Sequence, residues 1–457
     1  MLMKLRAFLL AITIFFLTIP LYAVDALLAP TPPMGWNSWD SYGQTVNEGE
    51  IRANADWMAK HLKRFGWQYV VVDEGWYILN PGADPAAFHL ALTDDGRFIP
   101  APARFPSAGD AAGFKPLADY IHSLGLKFGI HIIRGIPRQA VAKNLPIADS
   151  PFHAADAADR TDVCPWNAYN YGVKNNAAGQ AYYDSIAKLY ASWDVDFVKA
   201  DCISDHPYKP DEIRMLRAAL DKTGRPIVLS LSPGPTARDK GDEVSKYAEM
   251  WRISDDFWDH WGPWEGHTWS QGLRSQFSSA AQWASFFLPG HWPDADMLPL
   301  GRLGPRPGEG DVRDTKFTRD EQITLITLWS MFRSPLMIGS DLLSMDEWTT
   351  SLLTNPEVIA LNQRSRDNHP AVSNEKVIVW TARPESGDGY YVAVFNVSEA
   401  EQSLHYEWKD LGLANGNYRL HDLWSDSNKL KAASVDVTLR PHACVLYRVS
   451  PIESVNQ

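Results

Sequence analysis

Cysteine is scarce in this chain: Cys164, Cys202 and Cys444 are the only three among 457 residues. So few exclude a disulfide-dense scaffold, and no Cys-x-x-Cys pair offers a zinc site. A single bridge from Cys164 to Cys202 is open to an exported protein; three reduced thiols is the alternative. Basic charge is also short, since 43 Lys and Arg against 55 Asp and Glu leave a net charge of −12. That disfavours nucleic acid or an anionic membrane surface as partner. Beyond the N-terminus no apolar run is long enough to span a bilayer. No Gly-rich dinucleotide turn follows the first strand-like segment, which argues against a doubly wound open sheet. Tryptophan, in contrast, is plentiful at 19 residues. Most are expected in packing, and clustered ones suit stacking on the apolar face of a ligand ring.

Residues 1–23 read as a secretory signal peptide. Lys4 and Arg6 precede the apolar run Ala7 to Ile19, and Leu21-Tyr22-Ala23 offers a cleavage site. An uncleaved anchor is the alternative. The mature chain is therefore expected to be exported, to the periplasm or the exterior, with no membrane contact after cleavage. From 24 to 365, strand-like and helix-like segments alternate. The strand candidates are Met34–Asn37, Tyr69–Asp73, Lys127–Ile132, Phe197–Asp201, Pro226–Leu231, Glu249–Ile253, Gly290–Met297 and Pro335–Gly339. Asn47 with Glu50, and Thr318 with Glu321, are capping boxes that open helices between them. Eight such units predict a (β/α)8 TIM barrel. Two long segments, 79–107 and 302–316, leave the C-terminal ends of strands and are expected as rim or lid. From 366 to 457, short strands separated by turns predict an antiparallel β-sandwich, read chiefly as a packing partner of the barrel.

Chemistry-bearing residues gather at strand ends. Trp36-Asn37-Ser38-Trp39, Asp73-Glu74-Gly75-Trp76, Lys199 with Asp201, Arg252 with Asp256, and Trp292 to Met297 each close a different strand. One Asp after a strand is ordinarily a cap or turn former; five strand ends so equipped ask for more. Carboxylates, Lys and Arg grip sugar hydroxyls, while Trp packs on the C–H face of the ring. Two carboxylates from different strands are what a glycosidase needs, one to attack and one to move the proton. Lys199 and Arg252 are placed to keep Asp201 ionised, and Asp256 must hold its proton near neutral pH.

Met34-Gly35-Trp36-Asn37-Ser38-Trp39, the Lys-x-Asp-Cys at Lys199, the Arg-x-x-x-Asp at Arg252 and the Trp-x-Asp-x-Asp-Met at Trp292 resemble glycoside hydrolase family 27. This is the family of α-galactosidases (melibiases) and α-N-acetylgalactosaminidases. The resemblance spans nearly the whole mature chain. It implies a retaining exo-glycosidase that needs no metal and no cofactor. Asp201 matches the nucleophile and Asp256 the acid/base; Asp255 is one position off the spacing. Trp36, Asp73, Lys199, Arg252 and Asp296 match sugar-binding positions, and Cys164 with Cys202 resembles an active-site disulfide. Three departures stand out: Glu74 replaces a second Asp, His131 stands where Tyr is frequent, and Ser230 to Gly234 replaces a Cys-Glu-Trp-like strand end. The small Ser230 and Ser232 there favour a sugar with a 2-hydroxyl, with a 2-acetamido group as the alternative. The expected activity is release of terminal α-D-galactosyl residues from a carbohydrate substrate. The alternative is β-L-arabinopyranoside hydrolysis, with Glu74 crowding the space of C6. A non-catalytic sugar-binding protein is the remote reading. Oligomeric state is left open.

Overall fold

The computed structural model describes residues 27–452 apart from residue 110. The expected signal segment, 1–23, lies outside the described residues. Eight parallel strands form the first unit: β1 (Met34–Asn37), β2 (Tyr69–Val72), β3 (Lys127–Ile133), β4 (Phe197–Asp201), β5 (Val228–Leu231), β6 (Met250–Arg252), β7 (Trp292–Asp294) and β8 (Leu336–Ile338). Their order is β7-β6-β5-β4-β3-β2-β1-β8. The ring closes just beyond β7, where Leu298 pairs in parallel with Ile338 of β8. The TIM barrel read from the strand spacing is therefore the fold.

The strands are short and buried on both faces, so apolar residues occupy both parities. Val70, Phe128, Ile130, Val198, Ala200, Leu229, Leu231, Trp251 and Ile338 pack toward the helix layer. Tyr69, Val71, Phe197, Val228, Met250, Trp292 and Met337 form a separate cluster inside the barrel. Alternation with period two places the last inward residue of each strand at its C-terminal mouth. The helices start where the sequence says they do. Asn47 and Glu50 cap Glu48–His61 reciprocally, and Thr318 and Glu321 do the same for Arg319–Phe332.

The second unit carries β9 (Ser365–Ser373), β10 (Val377–Pro384), β11 (Tyr390–Asn396), β12 (Gln402–Glu407), β13 (Tyr418–Asp422), β14 (Asn428–Ala432), β15 (Ser434–Leu439) and β16 (Cys444–Pro451). Six form an antiparallel sheet in the order β9-β10-β11-β16-β13-β14, and β12 pairs with β15 over it. One face of the large sheet, with Val377, Val379, Val392, Val394 and Val445, buries against the small one. The opposite face, with Ile378, Trp380, Ala393, Phe395 and Leu446, joins the barrel core. Phe395 meets Phe277 edge-on at 5.0 Å between ring centroids.

Candidate active site

At the C-terminal mouth of the barrel lies a cavity of about 460 Å³, within the range of a small-molecule site. Asp73, Glu74, His131, Lys199, Asp201, Ser232, Arg252, Asp256 and Asp296 all line it. They come from the ends of β2 to β7, on the side where barrel enzymes hold their chemistry.

Asp73 is buried and accepts from Lys199 Nζ at 2.9 Å and from Asn37 Nδ2 at 2.6 Å. Burial alone would raise its pKa; the Lys199 charge, then His131, overcome this and hold the carboxyl far below its ordinary range. Asp201 ends β4. Its Oδ1 accepts the Cys202 N–H at 2.6 Å. Its Oδ2 faces His131 Nε2 at 3.5 Å and accepts the Trp166 indole N–H at 3.3 Å. Burial opposes ionisation of Asp201, but His131, Lys199 and the Cys202 amide outweigh it, so the pKa falls below the usual value. His131 moves the other way: burial lowers it, yet Asp73 and Asp201 raise it above an ordinary histidine.

On the opposite strands, Arg252 NH2 lies 2.8 Å from Asp296 Oδ2 and 3.1 Å from Asp256 Oδ1. The Phe257 N–H also donates to Asp296 Oδ2, at 2.8 Å. Asp256 is the open member of the set, 46 % exposed. Asp255 lines the same cavity, and burial pushes its pKa up to about 6. Glu74 accepts from the Tyr169 hydroxyl at 2.9 Å and faces the Asn167 amide at 3.5 Å. Cys164 and Cys202 are joined by a disulfide.

Trp36 is a correction to the sequence reading. It is fully buried in the main core, its indole donates to Ser340 O at 2.8 Å, and it is not among the cavity's lining residues. Its parity on β1 is that of Met34, toward the helices, whereas Asn37 has the inward parity. The tryptophan of that motif which lines the cavity is Trp39, beyond the strand. Sequence reasoning also passed over Asp40, Trp166, Trp258, Trp269 and Met297, which line the cavity too. Proximity to a strand end was the available signal for Trp39 and Asp40. Trp166 gave none beyond standing two residues after Cys164.

A pocket of this size, acidic on several sides and walled by indoles, suits one pyranose ring. Asp201 and the accessible Asp256 bring two carboxylates to the same cavity, and cleavage of an acetal calls for two. Fold and site together define a glycoside hydrolase. Comparison with known proteins agrees. The family pattern described as alpha galactosidase A matches residues 170–364, and that of the alpha galactosidase C-terminal beta sandwich domain matches 374–449. An α-galactosidase of Cyamopsis tetragonoloba is 30% identical over 436 residues, 94% of this chain and 89% of that one. The structure of a family 27 β-L-arabinopyranosidase from Geobacillus stearothermophilus superposes with a TM-score of 0.88 at 47% identity, covering 94% of this chain and 98% of the other. A putative α-N-acetylgalactosaminidase from Bacillus halodurans gives 0.82 at 41% identity, covering 93% and 98%. The chain belongs to glycoside hydrolase family 27.

Proposed function

We propose that the enzyme removes terminal α-D-galactosyl residues with retention of configuration. The observation that carries the reading is the pair of carboxylates on one sugar-sized cavity, Asp201 held ionised and Asp256 open beside Arg252. Asp201 attacks the anomeric carbon while Asp256 gives its proton to the leaving oxygen; Asp256 then takes a proton from the water that cleaves the glycosyl ester. Asp73 and Lys199, paired at 2.9 Å, together with Asp296, bind ring hydroxyls, and Trp39 offers an apolar wall. Ser232 leaves a site for a 2-hydroxyl. The apolar N-terminal segment and the single disulfide support export to an oxidising compartment as part of this reading. Among the described residues no helix is long and apolar enough to cross a membrane.

Asp201→Ala is expected to abolish turnover of 4-nitrophenyl α-D-galactopyranoside with the fold intact, and azide to restore part of it as a glycosyl azide. Wild-type turnover by the variant would refute the assignment. Because Asp255 shares the cavity, Asp255→Asn is the control for Asp256→Asn. Only the latter should lose most activity on substrates with a poor leaving group.

A second reading is favoured by Glu74. Tyr169 holds its carboxylate in the cavity wall, so the extra methylene relative to Asp presses into the space beside C6. β-L-Arabinopyranose has the ring of α-D-galactose without that hydroxymethyl group. On this reading arabinopyranosides are preferred, as the name of the 47%-identical relative suggests. Glu74→Asp should then raise galactoside over arabinopyranoside turnover, measured as the ratio of kcat/KM on the two 4-nitrophenyl glycosides. An unchanged or falling ratio discards it.

A further inference from the structure

Trp166 is a cavity residue that the two-carboxylate mechanism leaves without a role, yet its position is built with care. Cys164-Pro165-Trp166-Asn167 is a tight turn, closed by the Asn167 N–H donating to Cys164 O at 3.3 Å, with proline at the position whose fixed φ suits it. One end is tied by the disulfide to Cys202, the residue after Asp201. The other end, Asn167, is buried and reaches Glu74 at 3.5 Å. Between these anchors Trp166 lines the cavity, 45 % exposed, and donates its indole N–H to Asp201 Oδ2 at 3.3 Å.

The two oxygens of Asp201 are thereby unequal. Oδ1 is held by a backbone amide at 2.6 Å. Oδ2 meets only the two rings, Trp166 at 3.3 Å and His131 at 3.5 Å, among the described residues. The more loosely held Oδ2 is the one free to attack. In the first half of the reaction it forms the bond to the anomeric carbon, the bond to the leaving oxygen breaks, and the Asp256 proton goes to that oxygen. In the second half water attacks the same carbon and passes a proton to Asp256. The carbon–Oδ2 bond breaks, and its electron pair returns to Asp201. A donor aimed at Oδ2 has opposite effects on the two halves. It stabilises charge that the first half removes and the second restores.

We infer that Trp166 serves the second half, its indole N–H stabilising Asp201 as the departing carboxylate with no gain to the first. This rests on Asp201 being the nucleophile. Trp166→Phe keeps a ring at an exposed position and deletes the donor. With a 2,4-dinitrophenyl glycoside the first half is fast and kcat reports the second. The variant's kcat is expected to fall about tenfold, the worth of one hydrogen bond to a charged group. Its kcat/KM, which reports the first half, should hold or rise, because the first half no longer gives up that hydrogen bond. KM should therefore fall with kcat, and dinitrophenolate should appear in a burst close to the enzyme concentration. Equal losses in kcat and kcat/KM, or an unchanged kcat, overturn the inference. Azide rescue of Asp201→Ala separates the two levels. If rescue fails, the nucleophile assignment falls; if rescue succeeds while Trp166→Phe loses both parameters equally, only the role of Trp166 falls.

Discussion

Asp40 stands in the cavity wall with no cation in contact and Oδ2 unpartnered among the described residues. Room for it exists because residue 339 is glycine, where a Cβ would fall 1.8 Å from that oxygen. Burial first, and then the charge of Asp296, hold its pKa well above the carboxylate range, with Lys199 pulling the other way. The shift is toward the protonated acid, and Asp40→Asn sets an uncharged donor of similar shape in its place. We expect a melting temperature within about 2 °C of wild type and kcat/KM within about twofold; a collapse of either would show that Asp40 works ionised. Residues of this kind were hard to read in the sequence. The ion-pairing partners Asp73, Lys199, Arg252 and Asp296 announce themselves by charge at strand ends. Trp36 and Trp39 look alike in a string of letters. Only the two-residue alternation of β1, anchored by a known inward position such as Asn37, separates the one that packs from the one that faces the cavity.

At the scale of single elements, every barrel strand was legible, because each is a short, mostly apolar run with polar residues at or just beyond its end. Two sandwich strands were not. β9 contains Pro370 and shifts register twice along β10, and β14 is nearly all exposed. Both are the outermost strands of their sheet, where proline, charge and bulges protect unpaired edges and erase the alternation that marks a strand. β6 carries a different liability at its start. Glu249 accepts the Leu229 N–H at 2.6 Å and lies 3.3 Å from Arg217. Burial still pushes its pKa up to about 7, against the partial relief from Arg217. The folded chain thus binds this proton more tightly than the unfolded one, whose glutamate titrates near ~4.3. The associated stability is complete below that value and is lost as pH rises through about 7. Glu249→Gln cannot ionise. The melting temperature of the variant minus that of wild type should be more positive at about pH 8.5 than at about pH 5. A difference that is flat or runs the other way would contradict the assignment.

Across the whole molecule, the sandwich and the barrel share one core. Phe395 against Phe277 and Trp380 against Phe332 span the boundary. Trp424 adds a hydrogen bond to Thr327 at 2.9 Å. His442 stacks on Trp261 at 3.8 Å and pairs with Glu321 at 2.8 Å. The expectation that the sandwich serves as a packing partner agrees with this contact surface. Phe395→Ala is expected to cost roughly 3–5 kcal/mol in denaturant unfolding followed by tryptophan fluorescence. A much smaller loss would mean that the two units fold independently. The ring of strands has its own weak point. Between β7 and β8 the described residues provide two backbone hydrogen bonds, Leu298 N–H to Met337 O at 2.7 Å and Gly339 N–H to Leu298 O at 3.2 Å. Asp296 stands two residues before this seam, and Trp39 and Asp40 follow β1, the strand on its far side. A pyranose gripped from both directions would act as a clasp there, so catalytic cargo and mechanical closure of the scaffold become one and the same event.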